Sequence, residues 1–211
     1  MSRRVSESTV RRLSYYLRAL EALDHAGVAT VSSEELAERG GTTAAQVRKD
    51  LSQFGSFGKR GLGYAVPDLT ATLGGILGLD RRWRVVLVGA GRIGAALFAY
   101  PAFAARGYDY VAVLDSDPAR IGTCWGRMPI RPVSDLEEVV RELKADLVIL
   151  AVPAESAQGV AERAVHAGAR GLLNFAAVQL RVPPGIPVKD VDLVFELEAL
   201  SFAITLGESV A

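Results

Sequence analysis

Cysteine is almost missing from these 211 residues: Cys124 stands alone, which excludes an internal disulfide and points to a reducing, cytoplasmic compartment. Histidine is nearly as scarce. His25 falls at the end of a predicted first helix and His166 just before a helix-stopping Gly168, where a cation complements the helix dipole rather than serving acid–base chemistry. Net charge is absent too, with 24 basic and 24 acidic residues, so the overall balance names no partner. The chain holds no apolar run long enough to span a bilayer. Its opening segment is too charged for the apolar core of a secretory signal. Cys124 has no histidine near it in sequence and reads as a packed small residue. No catalytic residue and no metal site are expected.

Glycine, by contrast, is plentiful and placed with purpose. An apolar strand, Val85, Val86, Leu87 and Val88, runs into Gly89, Ala90, Gly91, Arg92, Ile93 and Gly94. In this G-x-G-x-x-G order the first glycine makes the tight turn, the second admits a pyrophosphate, and the third lets the next helix pack on the strand. A second apolar strand, Tyr110 to Leu114, ends at Asp115, 21 positions beyond Gly94, the spacing of an acid that grips a ribose 2′-hydroxyl. Asp117 adds a second carboxylate, so NAD or NADH is expected rather than the 2′-phosphorylated cofactor; Arg120 is the residue that argues the other way.

Residues 1–66 carry a surplus of three positive charges, which the rest of the chain cancels. Leu13, Leu17, Leu20 and Leu23 recur at helical spacing from Val10 until Gly27. Ser32 with Glu35, and Thr43 with Gln46, form two capping boxes on either side of Gly40 and Gly41. They predict a helix-turn-helix whose second helix buries Val47, Leu51 and Phe54 and presents Gln46, Arg48, Lys49 and Ser52 to a DNA groove. Between Gly55 and Tyr64 a glycine-rich hairpin would carry Lys59 and Arg60 at its tip, two cations suited to phosphates or the minor groove. A three-helix interaction module with a solvated hairpin is the alternative. Pro67 opens a further helix through Leu69, Leu73, Ile76 and Leu77, a connector that would pack this module onto the second domain.

Beyond residue 80 strands and helices alternate. After the glycine turn a helix is interrupted at Pro101, leaving Tyr100 on a kink near the crevice. A loop follows through Ile121 and Gly122, then a helix from Ser134 or Asp135 to Leu143 and a strand from Leu147 to Val152 ending at Pro153. A helix from Ala157 to Ala167, a strand ending at Asn174 and a short strand at Val188 to Val191 complete the pattern. The fold class is α/β: a winged helix (1–80) followed by a doubly wound, Rossmann-type NAD(H)-binding domain (81–192). Val152, Pro153 and Asn174 are candidates to face the nicotinamide, unless they are ordinary turn residues. The terminal helix (193–211), with Leu193, Phe195, Leu200, Phe202 and Leu206, is too apolar to stand in water; it folds back or, as favoured here, packs across a two-fold axis.

Several runs together resemble the Rex family, bacterial redox-sensing transcriptional repressors: Gln46-Val47-Arg48-Lys49-Asp50-Leu51-Ser52, Phe54-Gly55-Ser56-Phe57-Gly58 with Arg60-Gly61 and Gly63-Tyr64, Tyr100-Pro101, Leu173-Asn174-Phe175-Ala176 and Val191-Asp192-Leu193. The resemblance implies a homodimer with exchanged C-terminal helices. It would bind inverted-repeat double-stranded DNA with NAD+ or no cofactor, and NADH would release it. It also implies a relay of Arg18, Tyr100 and Asp192 between sensor and DNA module, and a partner's Leu193 beside the nicotinamide. A small NAD-dependent dehydrogenase and a nucleotide-binding regulator of another protein remain the alternatives.

Overall fold

Ser6 opens the first helix, its hydroxyl accepting the Thr9 amide at 3.2 Å, so α1 (Glu7–His25) begins three residues before Val10. The computed structural model describes residues 5–59 and 62–209. Every third or fourth residue of α1, namely Leu13, Tyr16, Leu17, Leu20 and Leu23, is buried, the stripe that an amphipathic helix turns to its core. Two-residue β1 (Thr30–Val31) follows, then α2 (Ser33–Arg39) and α3 (Ala44–Ser52), whose caps are Ser32 and Thr43. Strands β2 (Gly58–Lys59) and β3 (Gly63–Ala65) form the hairpin, and β3 also pairs with β1, giving a three-stranded antiparallel sheet in the order β1-β3-β2. This is a winged helix. The β1 strand is too short to leave a periodic signal in sequence.

Helix α4 (Val66–Ile76) carries Pro67 in its first turn. It packs on α1 and sinks Val66, Leu69 and Leu73 into the same core as Leu36, Val47 and Leu51. Each fully buried leucine here contributes about 1.5–3 kcal/mol. This first compact unit ends at Arg81, and a second begins at Arg82.

The second unit runs β4 (Trp83–Val88), α5 (Arg92–Phe98), α6 (Pro101–Ala105), β5 (Tyr108–Asp115), β6 (Cys124–Trp125), β7 (Met128–Pro132), a 3-10 turn at Val133–Asp135, α7 (Leu136–Glu142), β8 (Leu147–Leu150), α8 (Ala154–His166), β9 (Gly171–Asn174), β10 (Val188–Asp190) and α9 (Leu193–Ser209). The sheet order is β10-β9-β8-β4-β5-β7-β6, parallel throughout except for the β6–β7 hairpin. Without that hairpin strand the order is the 3-2-1-4-5-6 of the Rossmann fold. The hairpin occupies what the sequence reads as loop, since β7 is Met-Pro-Ile-Arg-Pro and two prolines suit only a strand with few ladder bonds.

Strand β4 is buried on both sides. Val86 and Val88 face a core closed by α7 and α8, while Val85 and Leu87 face a second core shared with Leu97 and Phe98 of α5. The second face is incompletely covered. Over β4, β8 and β9 it leaves an apolar cavity of about 360 Å³, walled by Val85, Tyr110, Leu147, Ile149 and Leu173 among others. Meanwhile α9 holds Leu193, Val194, Phe195, Leu197, Leu200, Phe202, Ile204 and Leu206 each more than half exposed. No helix among the described residues is long and apolar enough to cross a membrane.

Candidate nucleotide crevice and DNA-reading face

At the carboxyl end of β4 the chain turns sharply with Gly89 at φ +103°, a conformation other residues rarely adopt. A Cβ at Gly89 would lie 2.3 Å from the Ala151 carbonyl, and one at Gly94 would lie 1.9 Å from the Gly89 carbonyl. Those two glycines are required by packing. Gly91 differs: nothing lies within 4 Å of where its Cβ would be, so it faces open space, as the second glycine of a pyrophosphate turn must. Gly89, Gly91, Arg92 and Ile93 line a cavity of about 710 Å³ with Asp115, Asp117, Arg120, Val152, Pro153 and Phe175, within the size range of cofactor sites.

Asp115, at the end of β5, is 5% exposed. Its Oδ2 accepts the Ala90 amide at 2.5 Å and Oδ1 the Asp117 amide at 2.7 Å, and Arg120 approaches at 3.2 Å. Burial pushes this carboxyl up, but the two backbone amides and Arg120 more than offset it, leaving the group below its ordinary value and charged. Arg120 also lies 3.4 Å from Asp117. The arginine that argued for a 2′-phosphate is thus already shared between two carboxylates. The Ala90 amide is given to Asp115, and Ala90 is not among the residues that line the cavity.

On the β8 side of β4, Val152 and Pro153 line the cavity, joined by Phe175. Asn174 does not. It is fully buried, and its Nδ2 donates to the Val178 carbonyl and to Asp190 Oδ1, both at 2.8 Å, while Oδ1 accepts the Ala176 amide at 3.0 Å. Asn174 braces the loop that aims Phe175. Sequence reasoning also missed Ser156, Val160 and Arg163, which line the cavity from one face of α8 at helical spacing. Arg163 clasps Glu137 through two 2.6 Å bonds and donates to the Val133 carbonyl at 3.0 Å.

Of the implied relay residues in the second unit, neither Tyr100 nor Asp192 lines this crevice. Tyr100, at the start of α6, is 56% exposed and meets Phe103 edge-on at 5.4 Å. Asp192 caps α9, its Oδ1 accepting the Val194 and Phe195 amides at 2.9 and 3.1 Å. Leu193 is exposed at the first turn of α9. Arg18 is exposed on α1.

In the winged helix, Arg48, Lys49 and Ser52 lie exposed on α3. Arg48 rests 3.3 Å from Glu34, and the Ser52 hydroxyl donates to the Lys49 carbonyl at 2.8 Å. A groove of about 610 Å³ runs between α3 and the wing, walled by Arg48, Ser52, Phe57, Leu62 and Tyr64. Lys59 belongs to β2, and Arg60 lies outside the described residues. Gln46 is half-buried: Thr43 accepts its backbone amide at 3.2 Å, but its side chain turns forward to Asp50 instead of back to the cap. The second capping box is therefore only half formed.

A winged helix followed by a Rossmann-type unit with a built nucleotide crevice defines a class, the DNA-binding regulator that carries a nucleotide-binding domain. Residues 4–52 match the family described as "Putative DNA-binding protein N-terminus", and residues 80–178 the "CoA binding domain" family. The chain is 48% identical over 201 residues to the redox-sensing transcriptional repressor Rex of Carboxydothermus hydrogenoformans, covering 95% of this chain and 97% of that one. The crystal structure of RSP in complex with beta-NAD+ and operator DNA superimposes with a TM-score of 0.93 at 35% identity, covering 98% of this chain and 95% of that one. The structure of RSP with beta-NADH gives 0.87 at 34% identity, over 98% and 97%. The chain belongs to the family of redox-sensing transcriptional repressors Rex.

Proposed function

We propose that this chain is a homodimeric repressor that binds inverted-repeat DNA through α3 and the wing and senses the NADH/NAD+ ratio in its crevice. The observation that carries the reading is the division of labour among three glycines: two are locked by packing, and the one facing open space sits beside a charged, prebonded Asp115. Asp115 would hold the adenosine ribose, and Asp117 would repel a 2′-phosphate while sharing Arg120. Across β4 lie Ile93, Val152, Pro153 and Phe175. When bound, the cofactor supplies a nicotinamide ring that is cationic when oxidised and neutral when reduced. Apolar walls disfavour a buried cation, so Val152, Pro153 and Phe175 favour closure in the reduced state. None of these side chains moves a proton, which supports a sensor rather than a dehydrogenase.

The dimer reading rests on a deficit. One face of the sheet is a helix short, and α9 exposes the apolar surface that would fill it; exchange of α9 between two copies satisfies both, and would bring Leu193 of the second copy toward the crevice. Arg18, Tyr100 and Asp192 would then couple closure to the spacing of the two reading helices, which must sit about 34 Å apart to meet successive major grooves. Shifting a 1:99 population to 99:1 takes about 5.5 kcal/mol of preference between states. A gel shift on an inverted-repeat duplex, with NADH and NAD+ titrated separately, tests this: NADH should release the protein and NAD+ should not. Indifference to both cofactors overturns the reading.

A further inference from the structure

Asp50 sits at the seventh position of α3, fully buried and turned away from the surface that would meet DNA. Its carboxylate is saturated. Oδ1 accepts Arg12 Nη2 and Gln46 Nε2, each at 2.8 Å, and Oδ2 accepts Arg12 Nε at 2.6 Å and the Tyr16 hydroxyl at 3.0 Å. Four donors occupy the four acceptor positions of an ionised carboxylate. Burial works against the charge, but Arg12, Gln46 and Tyr16 together keep the carboxyl below its ordinary value. Burial also pushes the Tyr16 phenol up to about 12, so it remains a donor.

The consequence falls on Gln46, third residue of α3, among the leading positions that meet base edges when such a helix enters the major groove. A glutamine amide can ordinarily flip, exchanging its carbonyl and amino ends. Here a flip would set Oε1 against a carboxylate that only accepts, so the amide has one orientation. One hydrogen of Nε2 is taken by Asp50. We take Asp50 to bond the hydrogen anti to Oε1, which leaves the other hydrogen and Oε1 as a donor and an acceptor on one edge. Adenine alone presents the matching acceptor and donor, N7 and the N6 amino group, in the major groove; guanine presents two acceptors, cytosine a donor, and thymine an acceptor beside a methyl group.

We propose that Asp50 is a positioning residue for sequence reading, which presets Gln46 to recognise an adenine in each half-site. The inference rests on the DNA-binding reading above. Its test uses the full-length protein, a duplex selected by that protein from a random pool, and the single base-pair variants of that duplex. One A·T pair per half-site should be preferred by about 5- to 150-fold, the range for one bidentate contact, and Gln46→Ala should abolish that preference alone. Asp50→Asn places an amino group among four donors; it should lose the same preference while still binding nonspecific duplex with the same salt dependence. The double variant should lose no more than either single one, a non-additivity that a merely structural role would not produce.

If Asp50→Asn does not fold, Gln46→Glu decides: its carboxylate has no hydrogen to give Asp50 and must leave that contact, so the adenine preference should disappear. The inference is overturned if Gln46→Ala leaves every position unchanged, if the position it controls prefers G·C, if folded Asp50→Asn keeps full discrimination, or if Gln46→Glu still prefers adenine. A wild-type chain that selects no duplex overturns the DNA-binding reading itself, and this inference with it.

Discussion

Gly91 and Gly94 are three residues apart in one motif, yet they answer to different constraints. A Cβ at Gly94 would run into the Gly89 carbonyl, whereas one at Gly91 would meet nothing within 4 Å. Gly94→Ala should therefore cost about 1–3 kcal/mol of stability, the usual penalty for overpacking, read as a lowered Tm without cofactor. Gly91→Ala should melt like the parent and bind NADH at least about tenfold more weakly by calorimetry, because its methyl group enters the space left for the pyrophosphate. Glu137 carries a pH dependence of its own. Its bond to Arg163 holds its carboxyl at about 2, well below 4.5. The folded value is the lower one, so this contribution to stability is complete above about pH 4.5 and disappears as the pH falls toward 2. Thermal melts across that range should show a smaller loss for Glu137→Gln than for the parent. The difference should appear in the second unit, where Arg163 closes one side of the crevice.

Helices α4 and α9 show how one pattern, an apolar stripe, can have opposite outcomes. In α4 the stripe at Leu69 and Leu73 finds α1 within its own unit and becomes core. In α9 apolar side chains surround the helix, and each is more than half exposed. Replacing Leu200 and Phe202 with lysine should leave the fold of each unit intact, since neither side chain is buried in the single chain. In the dimer proposed above it should also give monomers in sedimentation velocity. Four large side chains would leave the dimer interface, at about 2 kcal/mol each, enough to weaken association by several orders of magnitude.

The proposed switch passes a signal from a crevice in one unit to a reading helix in the other, and the resemblance assigns Asp192 a part in that relay. It caps α9 through Oδ1, and asparagine caps a helix as well as aspartate does. Asp192→Asn should therefore keep the helix, the dimer, NADH binding and operator binding, while losing the charge an Arg18 relay requires. The expected outcome is a repressor that binds both NADH and DNA but is no longer released by NADH in a gel shift. Release at the parental NADH concentration would remove Asp192 from the relay.

Local features of this chain were readable one residue type at a time. Serine and threonine caps, the helical spacing of leucines, and glycines where no side chain fits all act within a few positions, so their physical causes lie within the same short stretches of chain. The glycine turn, Asp115 and the alternation of strands with helices belong to this class, and together they specify a winged helix followed by a Rossmann-type unit. Partnerships across the chain were not readable. Asp50 finds Arg12 38 positions away, Asn174 turns inward to Asp190, and β7 joins the sheet despite its prolines. Such partnerships arise only when folding brings distant groups within hydrogen-bonding distance in a place water cannot reach. That desolvation, which no run of sequence encodes alone, turns Asn174 from a candidate ligand into a brace and Asp50 from a helix residue into the anchor of the reading side chain.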